Sequence, residues 1–351
     1  MINQYIKLFC LFLCSAALIM LSGCYTYFEP DLESTPVVCL NSLITDGKQI
    51  TVEVTRTWRY SETRPENKIL DVDLRNAEVS LYIDDKFEEK MVLVSDTNRF
   101  GEISNYFEAN YIPKSGDKIK IHAIDKTYGE AEAEITVPFP IDIDYVNTNI
   151  KKNDASYAKD AFSSTFDMIL NVYFTDPASE NNYYIFDMPT YESILYESED
   201  SYFHVPIAES VSLRPDYSFE PIFSEHISPL ETIISDAYGL YTVFSDRQFS
   251  GKQYCLEIPV HGSYKCDYTN HPDLENKLTV DIQLSHITTD YYSYMLSLWA
   301  VTEGVSGALG GVGLGDAVFE FSNVSTGAGI IAAQAVSTFK LNIHDILNSG
   351  N

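Results

Sequence analysis

The sequence predicts a mainly β protein, in which an N-terminal β-sandwich of immunoglobulin or fibronectin type precedes a larger β-rich domain that carries one helix. Apolar and polar residues alternate in short runs that are separated by turn residues along most of the chain. The chain also contains 25 tyrosines and 19 phenylalanines, which favour strands over helices. A capped helical period stands out near residues 288–303.

The N-terminal sandwich is predicted for residues 37–138. Its seven strands are Val37 to Thr45, Gln49 to Trp58, Glu78 to Ile83, Lys90 to Ser95, Tyr106 to Ile112, Lys118 to Asp125 and Glu130 to Val137. The turns between them are marked by Asp46-Gly47, Asp84-Asp85, Ser115-Gly116 and Tyr128-Gly129. Pro138 and Pro140 end the last strand, so we place the domain boundary there.

The second domain is predicted for residues 139–351. Its clearest strands are Phe166 to Thr175, Asn182 to Met188, Phe249 to Val260, Ser263 to Tyr268 and Leu278 to Leu284. A helix is expected from Thr288 to about Glu303, because a threonine can cap its first turn and Asp290 favours the positive end of the helix dipole. The chain closes with Ala317 to Val324, a turn at Thr326-Gly327 and an apolar run from Gly329 to Val336.

The first 23 residues have the layout of a secretory signal peptide, with Lys7 as their only charge and an apolar run from Leu8 to Leu21. A spanning helix needs about 20 apolar residues, so this run is too short to remain in the bilayer. The segment ends in Leu21-Ser-Gly-Cys24, which resembles the lipobox of bacterial lipoproteins. The resemblance implies cleavage before Cys24, lipidation of its thiol and stable membrane attachment by more than one acyl chain. Residues 24–36 read as a tether.

The formal net charge of the chain is −28, and no basic patch opposes it. This charge argues against nucleic acid as a partner and against adsorption to anionic lipid, because both attract positive charge. Acidity at this level is typical of a soluble, self-repelling surface. Hydrophobic residues make up 45% of the chain, which is enough for a substantial core.

Three cysteines follow Cys24 in the mature chain. Cys39 lies in an apolar run, so we expect a buried free thiol. Export places the protein in an oxidising compartment, where Cys255 and Cys266 could form a disulfide across the predicted turn at Pro259 to Ser263.

Four motifs in sequence carry a family resemblance. They are Val38-Cys-Leu-Asn-Ser-Leu-Ile-Thr-Asp46, Phe174-Thr-Asp-Pro177 leading into Asn181-Asn-Tyr-Tyr184, the helix of Ser285 to Trp299 with its tyrosines, and Phe321-Ser-Asn-Val-Ser-Thr-Gly-Ala-Gly329. The chain resembles the Bacteroidetes lipoproteins catalogued as domain of unknown function 4249 along almost its whole mature length. Two features depart from the family pattern: Ser42 replaces the usual glycine, and residues 305–315 are unusually rich in glycine.

This resemblance implies a cellular location and a protein partner, but it implies no reaction. Genes of such lipoproteins commonly lie beside those of TonB-dependent outer-membrane receptors, so a receptor of this kind is the expected partner. The acidic residues that follow Cys24 resemble surface-export signals, which favours attachment to the outer membrane facing the cell exterior over the periplasmic side.

No catalytic or metal-binding motif is recognisable in the sequence. The Gly-x-Ser-x-Gly and His-Glu-x-x-His patterns and a complete phosphate loop are absent. Two histidines interleave with the last two cysteines, but without the close ligand pairs of zinc sites. Asp71 and Asp73 match two positions of a calcium loop, yet Arg75 follows and the required glycine does not. We therefore predict no catalytic residues, no metal and no cofactor.

Tyrosines crowd the start of the second domain, where they could form a ligand-binding surface. Flat aromatic rings beside acids and amides bind glycans or peptides, whereas a tyrosine-rich core would explain the same pattern without a ligand. The candidate ligand-stacking residues are Tyr183, Tyr184, Tyr191, Tyr196 and Tyr202. The ligand interpretation requires that these rings are exposed.

Three functions compete at this point. The first is a non-catalytic outer-membrane lipoprotein that serves a TonB-dependent transporter as an accessory, either by ligand capture or by docking on the barrel. The second is a structural or adhesive surface protein in which the sandwich is a spacer. The third is a hydrolase with an unrecognised site.

Overall fold

Strands dominate the computed structural model, which confirms the predicted mainly β fold class. The structure describes residues 35–58, 71–97, 101, 103–158, 161–178, 181–195, 207–225, 242–267, 278–302, 304, 319–343 and 346. Cys24 and the predicted signal peptide lie outside these residues, so cleavage and lipidation stay predictions. All the elements below belong to one compact unit, Pro36–Thr57 with Ile69–Asn351.

Eight strands precede the predicted domain boundary at residue 138. They are β1 (Val38–Thr45), β2 (Thr51–Arg56), β3 (Glu78–Ile83), β4 (Lys86–Lys90), β5 (Val92–Thr97), β6 (Ile103–Glu108), β7 (Lys118–Asp125) and β8 (Gly129–Thr136). Strand β4 was not predicted, because its sequence Lys-Phe-Glu-Glu-Lys is mostly charged. Asp84 and Asp85 both adopt positive φ angles, which gives the tight turn that joins β3 to β4.

The second half of the chain adds nine strands and an α-helix within the described residues. They are β9 (Ile143–Ala158), β10 (Ala161–Thr175), β11 (Tyr183–Asp187), β12 (Tyr191–Leu195), β13 (Ile207–Pro215), β14 (Val243–Ser245), β15 (Gln253–Asp267), β16 (Thr279–Ile287), α1 (Thr289–Thr302) and β17 (Ala328–Asn342). Two short 3-10 helices, Tyr217–Phe219 and Pro221–Ser224, follow β13. Residues 319–324, within the closing segment Ala317 to Val324, form neither helix nor strand.

The described strands form three sheets. An eight-stranded sheet has the order β14-β11-β16-β17-β1-β2-β6-β5, a five-stranded sheet the order β12-β13-β15-β10-β9, and a four-stranded sheet the order β4-β3-β7-β8. Neighbouring strands are antiparallel except β1 and β17, which run parallel from the pair Cys39 and Ala328 to the pair Thr45 and Gln334. The eight-stranded sheet therefore contains strands from both sides of residue 138.

Two hydrophobic cores lie on the eight-stranded sheet. The N-terminal core includes Leu40, Val52 and Ile121, and it also includes Ile331 from β17. The larger core lies between the five-stranded sheet and strands β11, β14 and β16, and it includes Leu341 from β17. Strand β17 thus contributes apolar side chains to both cores, and the 37–138 segment does not by itself supply all the strands of its sandwich.

Strand β15 runs unbroken from Gln253 to Asp267, so the predicted turn at Pro259 to Ser263 is wrong. Pro259 is tolerated because its nitrogen points to the side of β13, which ends at Pro215, while its carbonyl still accepts a bond from the Asp216 amide. Gly262 lies opposite Phe166, and a Cβ atom there would come within 2.2 Å of the Phe166 ring. Proline and glycine therefore mark close packing here and not a turn.

The predicted disulfide between Cys255 and Cys266 is wrong for the same reason. The two residues lie on one extended strand, where eleven steps of about 3.3 Å separate their Cα atoms by roughly 36 Å. A disulfide requires Cα atoms within about 7 Å. Cys255 is a free thiol, and so is Cys39, which is half-buried. Burial raises the pKa of the Cys39 thiol.

The predicted helix is confirmed, and Thr288 caps it. The Thr288 carbonyl accepts the Tyr292 amide at 3.0 Å, and its hydroxyl accepts the Tyr291 amide at 3.4 Å. Helix α1 contacts β17 and β11, with Trp299 as its buried side chain. No helix in the described part of the chain is both long and apolar enough to cross a membrane.

Candidate functional site

The five-stranded sheet has one buried face and one face in solvent, because side chains alternate along each strand. On β10 the inward side chains Phe166, Met168, Leu170, Val172 and Phe174 are almost completely buried in the larger core. The residues between them point outward. Cross-strand partners in an antiparallel ladder point to the same side, so the register assigns the outward residues of the neighbouring strands as well.

Four cross-strand rows make up the centre of this solvent side, and we call these residues the outer face. The rows are Tyr145, Tyr173 and Cys255; Asn147, Asn171 and Glu257; Asn149, Ile169 and Pro259; and Lys151, Asp167, His261 and Arg214. Aromatic, amide and charged side chains thus share one flat surface. Its exposed aromatic and apolar side chains include Tyr145 at 42% and Ile169 at 38%.

Two β-bulges in β9 frame the outer face. At one bulge Asp144 is the extra residue opposite Tyr173, and its carboxylate accepts hydrogen bonds from Thr175 (2.8 Å) and Gln253 (2.9 Å). At the other bulge Asn153 donates to Asp167 at 2.6 Å. Bulges redirect side chains, and here each one turns an additional polar group onto the same side of the sheet.

The first row contains a stacked pair of tyrosines. The rings of Tyr145 and Tyr173 lie 4.3 Å apart at an interplanar angle of 18°. A hydrogen bond with Cys255 raises the pKa of Tyr173, and burial raises the pKa of Cys255. Both groups are therefore neutral near pH 7. The stack fixes Tyr145 in place while its ring remains accessible from solvent.

Next to this stack, the second and third rows present free amide groups. Within the described residues, the side chains of Asn147 and Asn149 have no hydrogen-bond partner, although both are exposed. The Asn171 carbonyl oxygen has only a weak contact of 3.8 Å with the Cys255 sulfur. Each amide supplies two donors and an acceptor. These rows can therefore bind hydroxyl or amide groups of a ligand.

The fourth row is a small charged cluster. His261 Nδ1 lies 2.7 Å from a carboxylate oxygen of Asp167, and both side chains are 55% exposed. The bonds from His261 and Asn153 lower the pKa of Asp167. A histidine and an aspartate can orient a catalytic base, but in the described structure no hydroxyl or thiol is bonded to the other His261 nitrogen. The cluster fits binding better than nucleophilic catalysis.

The predicted stacking tyrosines have different positions. Tyr191 is 53% exposed and points to the solvent side, because it pairs with the outward residue Ser212 one row beyond the outer face. Tyr183 stacks on Tyr292 of helix α1 with ring centres 4.3 Å apart, and burial raises the pKa of Tyr292 to about 12. Tyr184 is fully buried. The remaining two candidates, Tyr196 and Tyr202, lie outside the described residues.

Tyr184 belongs to a buried polar cluster that we call the buried clamp. The carboxylate of Asp176, 2% exposed, accepts bonds from the Tyr184 hydroxyl, from the Asn182 amide at 3.1 Å and from the Gly251 backbone N–H at 2.8 Å. The Asn182 amide also donates to the buried Asp246 at 3.4 Å. Burial, reinforced by Asp176, raises the pKa of Tyr184, so its hydroxyl remains a donor. The clamp is structural, since it lies inside the core.

An open groove of about 640 Å³ occurs beside β5 and β6, but its charges are already paired. Arg75 lies 3.2 Å from Asp71 and 3.5 Å from Asp73, and Asn105 donates to Asp73 at 2.6 Å. The arginine therefore supplies the positive charge that a calcium ion would bring. Across the described residues, no group of three or more histidine, cysteine, aspartate or glutamate side chains is arranged to hold a metal.

The stacked pair of Tyr145 and Tyr173 on the outer face was not predicted from the sequence. The signal was present as Tyr145-Val-Asn-Thr-Asn-Ile-Lys151, in which polar and apolar residues alternate with a period of two. That alternation predicts a strand with one solvent face. It does not reveal that Tyr173 lies beside Tyr145, because that contact depends on the register of two strands.

Comparison with known proteins gives one family match. A protein-family model described as "Domain of unknown function (DUF4249)" matches residues 25–340 of the chain. No curated protein matches the sequence.

Proposed function

The chain belongs to the family described as domain of unknown function DUF4249, and from this premise we propose that it is a non-catalytic, lipid-anchored protein of the outer membrane. In this proposal it serves a TonB-dependent transporter as an accessory and captures ligand for it. The outer face is the observation that carries the ligand-capture role. It combines an accessible tyrosine stack with free amides on one sheet face, and the stacked ring is already held in place, so it can bind a ligand with little loss of side-chain entropy.

The proposed anchor rests on Cys24 and its lipobox-like context. The lipid would hold the protein at the membrane through residues 24–36, without a spanning helix. The net charge of −28 supports attachment by lipid over adsorption to anionic headgroups. The expected orientation, towards the cell exterior, would give the outer face access to ligands before they reach a transporter.

Replacing Cys24 by alanine tests the anchor. We expect the wild-type protein to incorporate an alkyne-labelled palmitate and to sediment with membranes, whereas Cys24→Ala incorporates none, because the acceptor thiol is absent. An uncleaved leader could itself hold Cys24→Ala in the membrane. A second variant therefore carries a cleavable leader without a lipobox in place of residues 1–24, and it should appear in the soluble fraction. Sedimentation of this second variant with membranes would contradict the proposed anchor.

Co-purification tests the proposed partner. The tagged protein, extracted with mild detergent from the outer membranes of its own host, should recover a β-barrel receptor of the TonB-dependent class. A second lipoprotein with the same tag is the control and should not recover it. If no β-barrel is recovered and a deletion mutant loses attachment but not nutrient uptake, the protein is an adhesive or structural component instead.

A further inference from the structure

We infer that the outer face binds an uncharged oligosaccharide chain, an inference that rests on the proposed ligand-capture function and assigns its ligand class. Three features of the described residues point to this chemistry: an aromatic ring supported by a second ring, unpaired amides beside it, and balanced charge. None of the three alone selects a glycan.

The tyrosine stack supplies a surface for a sugar ring. The C–H groups of a pyranose pack on the electron-rich face of an aromatic ring, and this contact needs a ring that is exposed and held in one orientation. Tyr145 meets both conditions, since it is 42% exposed and stacked on Tyr173 at 4.3 Å. Tyr191, 53% exposed, lies on the same side of the sheet near the opposite edge. A chain of several sugar units could reach from one ring towards the other.

The amide rows supply the hydrogen bonds that a sugar requires. Hydroxyl groups donate and accept, and so do the amides of Asn147, Asn149 and Asn171. The first two are unpaired within the described residues, so a ligand need not break internal bonds to reach them. Glu257, exposed in the same row as Asn147 and Asn171, adds an acceptor-only group. Carboxylates and amides beside an aromatic ring match the mixed polar and apolar surface of a pyranose.

Charge on the outer face excludes strongly charged ligands. The chain as a whole carries −28, yet the four rows hold two acids, Asp167 and Glu257, and two bases, Lys151 and Arg214. The bulge residue Asp144 adds one acid on the same side, so the local charge is close to balance. A polyanion would meet no excess of positive charge here and would be repelled by the rest of the surface. A polycation would find more negative surface elsewhere. The local balance therefore fits a neutral chain.

The edges of the sheet argue against an extended peptide. Peptides commonly bind sheets by adding a strand at an open edge. The β9 edge is interrupted by two bulges and carries Lys151 and Lys152 in succession, features that block strand addition. The opposite edge strand, β12, has five residues. Binding on the flat face therefore fits better than binding at an edge.

Native gel electrophoresis of the detergent-solubilised full-length protein in polysaccharide-containing gels tests this inference. The neutral probes are a β-glucan, a mannan, a xylan and a galactan, and the anionic probes are heparin and polygalacturonate. We expect retardation by at least one neutral polysaccharide and by neither polyanion. Tyr145→Ala and the double variant Asn147→Ala/Asn149→Ala should each weaken that retardation at least about tenfold, as expected for central contacts. Phe87→Ala is the matched control, since Phe87 is also exposed and paired with a tyrosine, but on the four-stranded sheet.

Several outcomes would overturn the inference. These are no retardation by any neutral probe, retardation by the polyanions alone, or retardation that the outer-face variants leave unchanged. The result is separable from the proposed transporter role. If no polysaccharide binds but a receptor co-purifies, the accessory role at the transporter is supported and the proposed glycan ligand is rejected. If a neutral polysaccharide binds but no receptor co-purifies, the glycan ligand is supported and the transporter role is rejected.

Discussion

Replacing Asp176 by alanine is expected to lower the free energy of unfolding by about 3–5 kcal/mol. The carboxylate accepts hydrogen bonds from the Tyr184 hydroxyl, the Asn182 amide and the Gly251 backbone N–H inside the larger core. Alanine would remove three hydrogen bonds to a charged acceptor and would leave the buried Tyr184 hydroxyl without this partner. The Asn182 amide keeps its bonds to Pro177 and Asp246, and Gly251 is exposed, so the individual costs of about 1–3 kcal/mol add only in part. Urea unfolding followed by near-ultraviolet circular dichroism measures the difference.

Asp142→Ala is the matched control for this experiment. Asp142 is exposed and has no side-chain hydrogen bond within the described residues, so its loss should change stability by less than about 0.5 kcal/mol. If Asp176→Ala also costs less than about 1 kcal/mol, the buried clamp does not hold the core together. The loss of unfolding free energy in Tyr184→Phe should lie between those of Asp142→Ala and Asp176→Ala. This variant removes one of the three hydrogen bonds to Asp176 and keeps the aromatic packing on Phe244.

The buried clamp explains one of the motifs by which the family was recognised. Asp176 belongs to Phe174-Thr-Asp-Pro177, and Asn182 and Tyr184 belong to Asn181-Asn-Tyr-Tyr184. These residues are close in sequence, so their association could have been suspected. Their other partners, Gly251 and Asp246, are more than 60 positions further along the chain. The sequence left Tyr184 open between a ligand surface and a tyrosine-rich core, and long-range packing places it in the core.

Local signals predicted the fold well wherever they were decisive. Strands β3 and β7 and the turn at Asp84 and Asp85 match the prediction, because alternation and turn chemistry act over a few residues. The failures involve tertiary context. Pro259 and Gly262 suggested a turn in β15, but the end of β13 accommodates the proline, and the ring of Phe166 occupies the space above the glycine. The wrong disulfide followed directly from that wrong turn.

The candidate site was less predictable than the fold. A tyrosine-rich ligand surface was one of two alternatives, and Tyr191, one of its candidate residues, lies on the solvent side of the five-stranded sheet. The central residues come from three strands, β9, β10 and β15, whose register sets which side chains are neighbours. Tyr145 and Tyr173 are 28 positions apart and approach to 4.3 Å only through that register. A single sequence shows the alternation of polar and apolar residues along each strand, but it does not show which residues pair across neighbouring strands.

The first and last family motifs contact each other where β1 pairs with β17, and together they stabilise that pairing. Asn41 of the first motif accepts the Ile330 amide at 3.3 Å, and Thr45 accepts the side-chain amide of Gln334 at 3.2 Å. Asn323 of the last motif donates both to Asp290 at the start of α1 and to the Ile331 carbonyl. These contacts fix the only parallel strand pair among the described sheets. The first and last motifs therefore hold the parallel pairing of β1 with β17. The residues of the outer face lie outside all four motifs.

Replacing Gly329 by alanine should accordingly destabilise the whole sandwich, by about 3 kcal/mol or more. Gly329 has a φ of +100°, which costs strain for any residue with a Cβ, and that Cβ would lie 2.1 Å from the Leu40 carbonyl oxygen. The clash is with backbone, so relief requires β17 to move away from β1. Because β17 supplies side chains to both cores, we expect one cooperative unfolding transition at lower urea concentration.

Gly47→Ala separates strain from clash. Gly47 also has a positive φ, +71°, but a Cβ there would meet nothing within 4 Å. Gly47→Ala should therefore lower the free energy of unfolding only by the backbone strain of a positive φ, about 1 kcal/mol. Equal losses for the two variants would mean that β1 and β17 are not in close contact at Gly329, and the parallel pairing would then be wrong. If β17 belongs to both cores, Gly329→Ala should lower the free energy of unfolding more than Gly47→Ala does. Both variants should unfold in one transition.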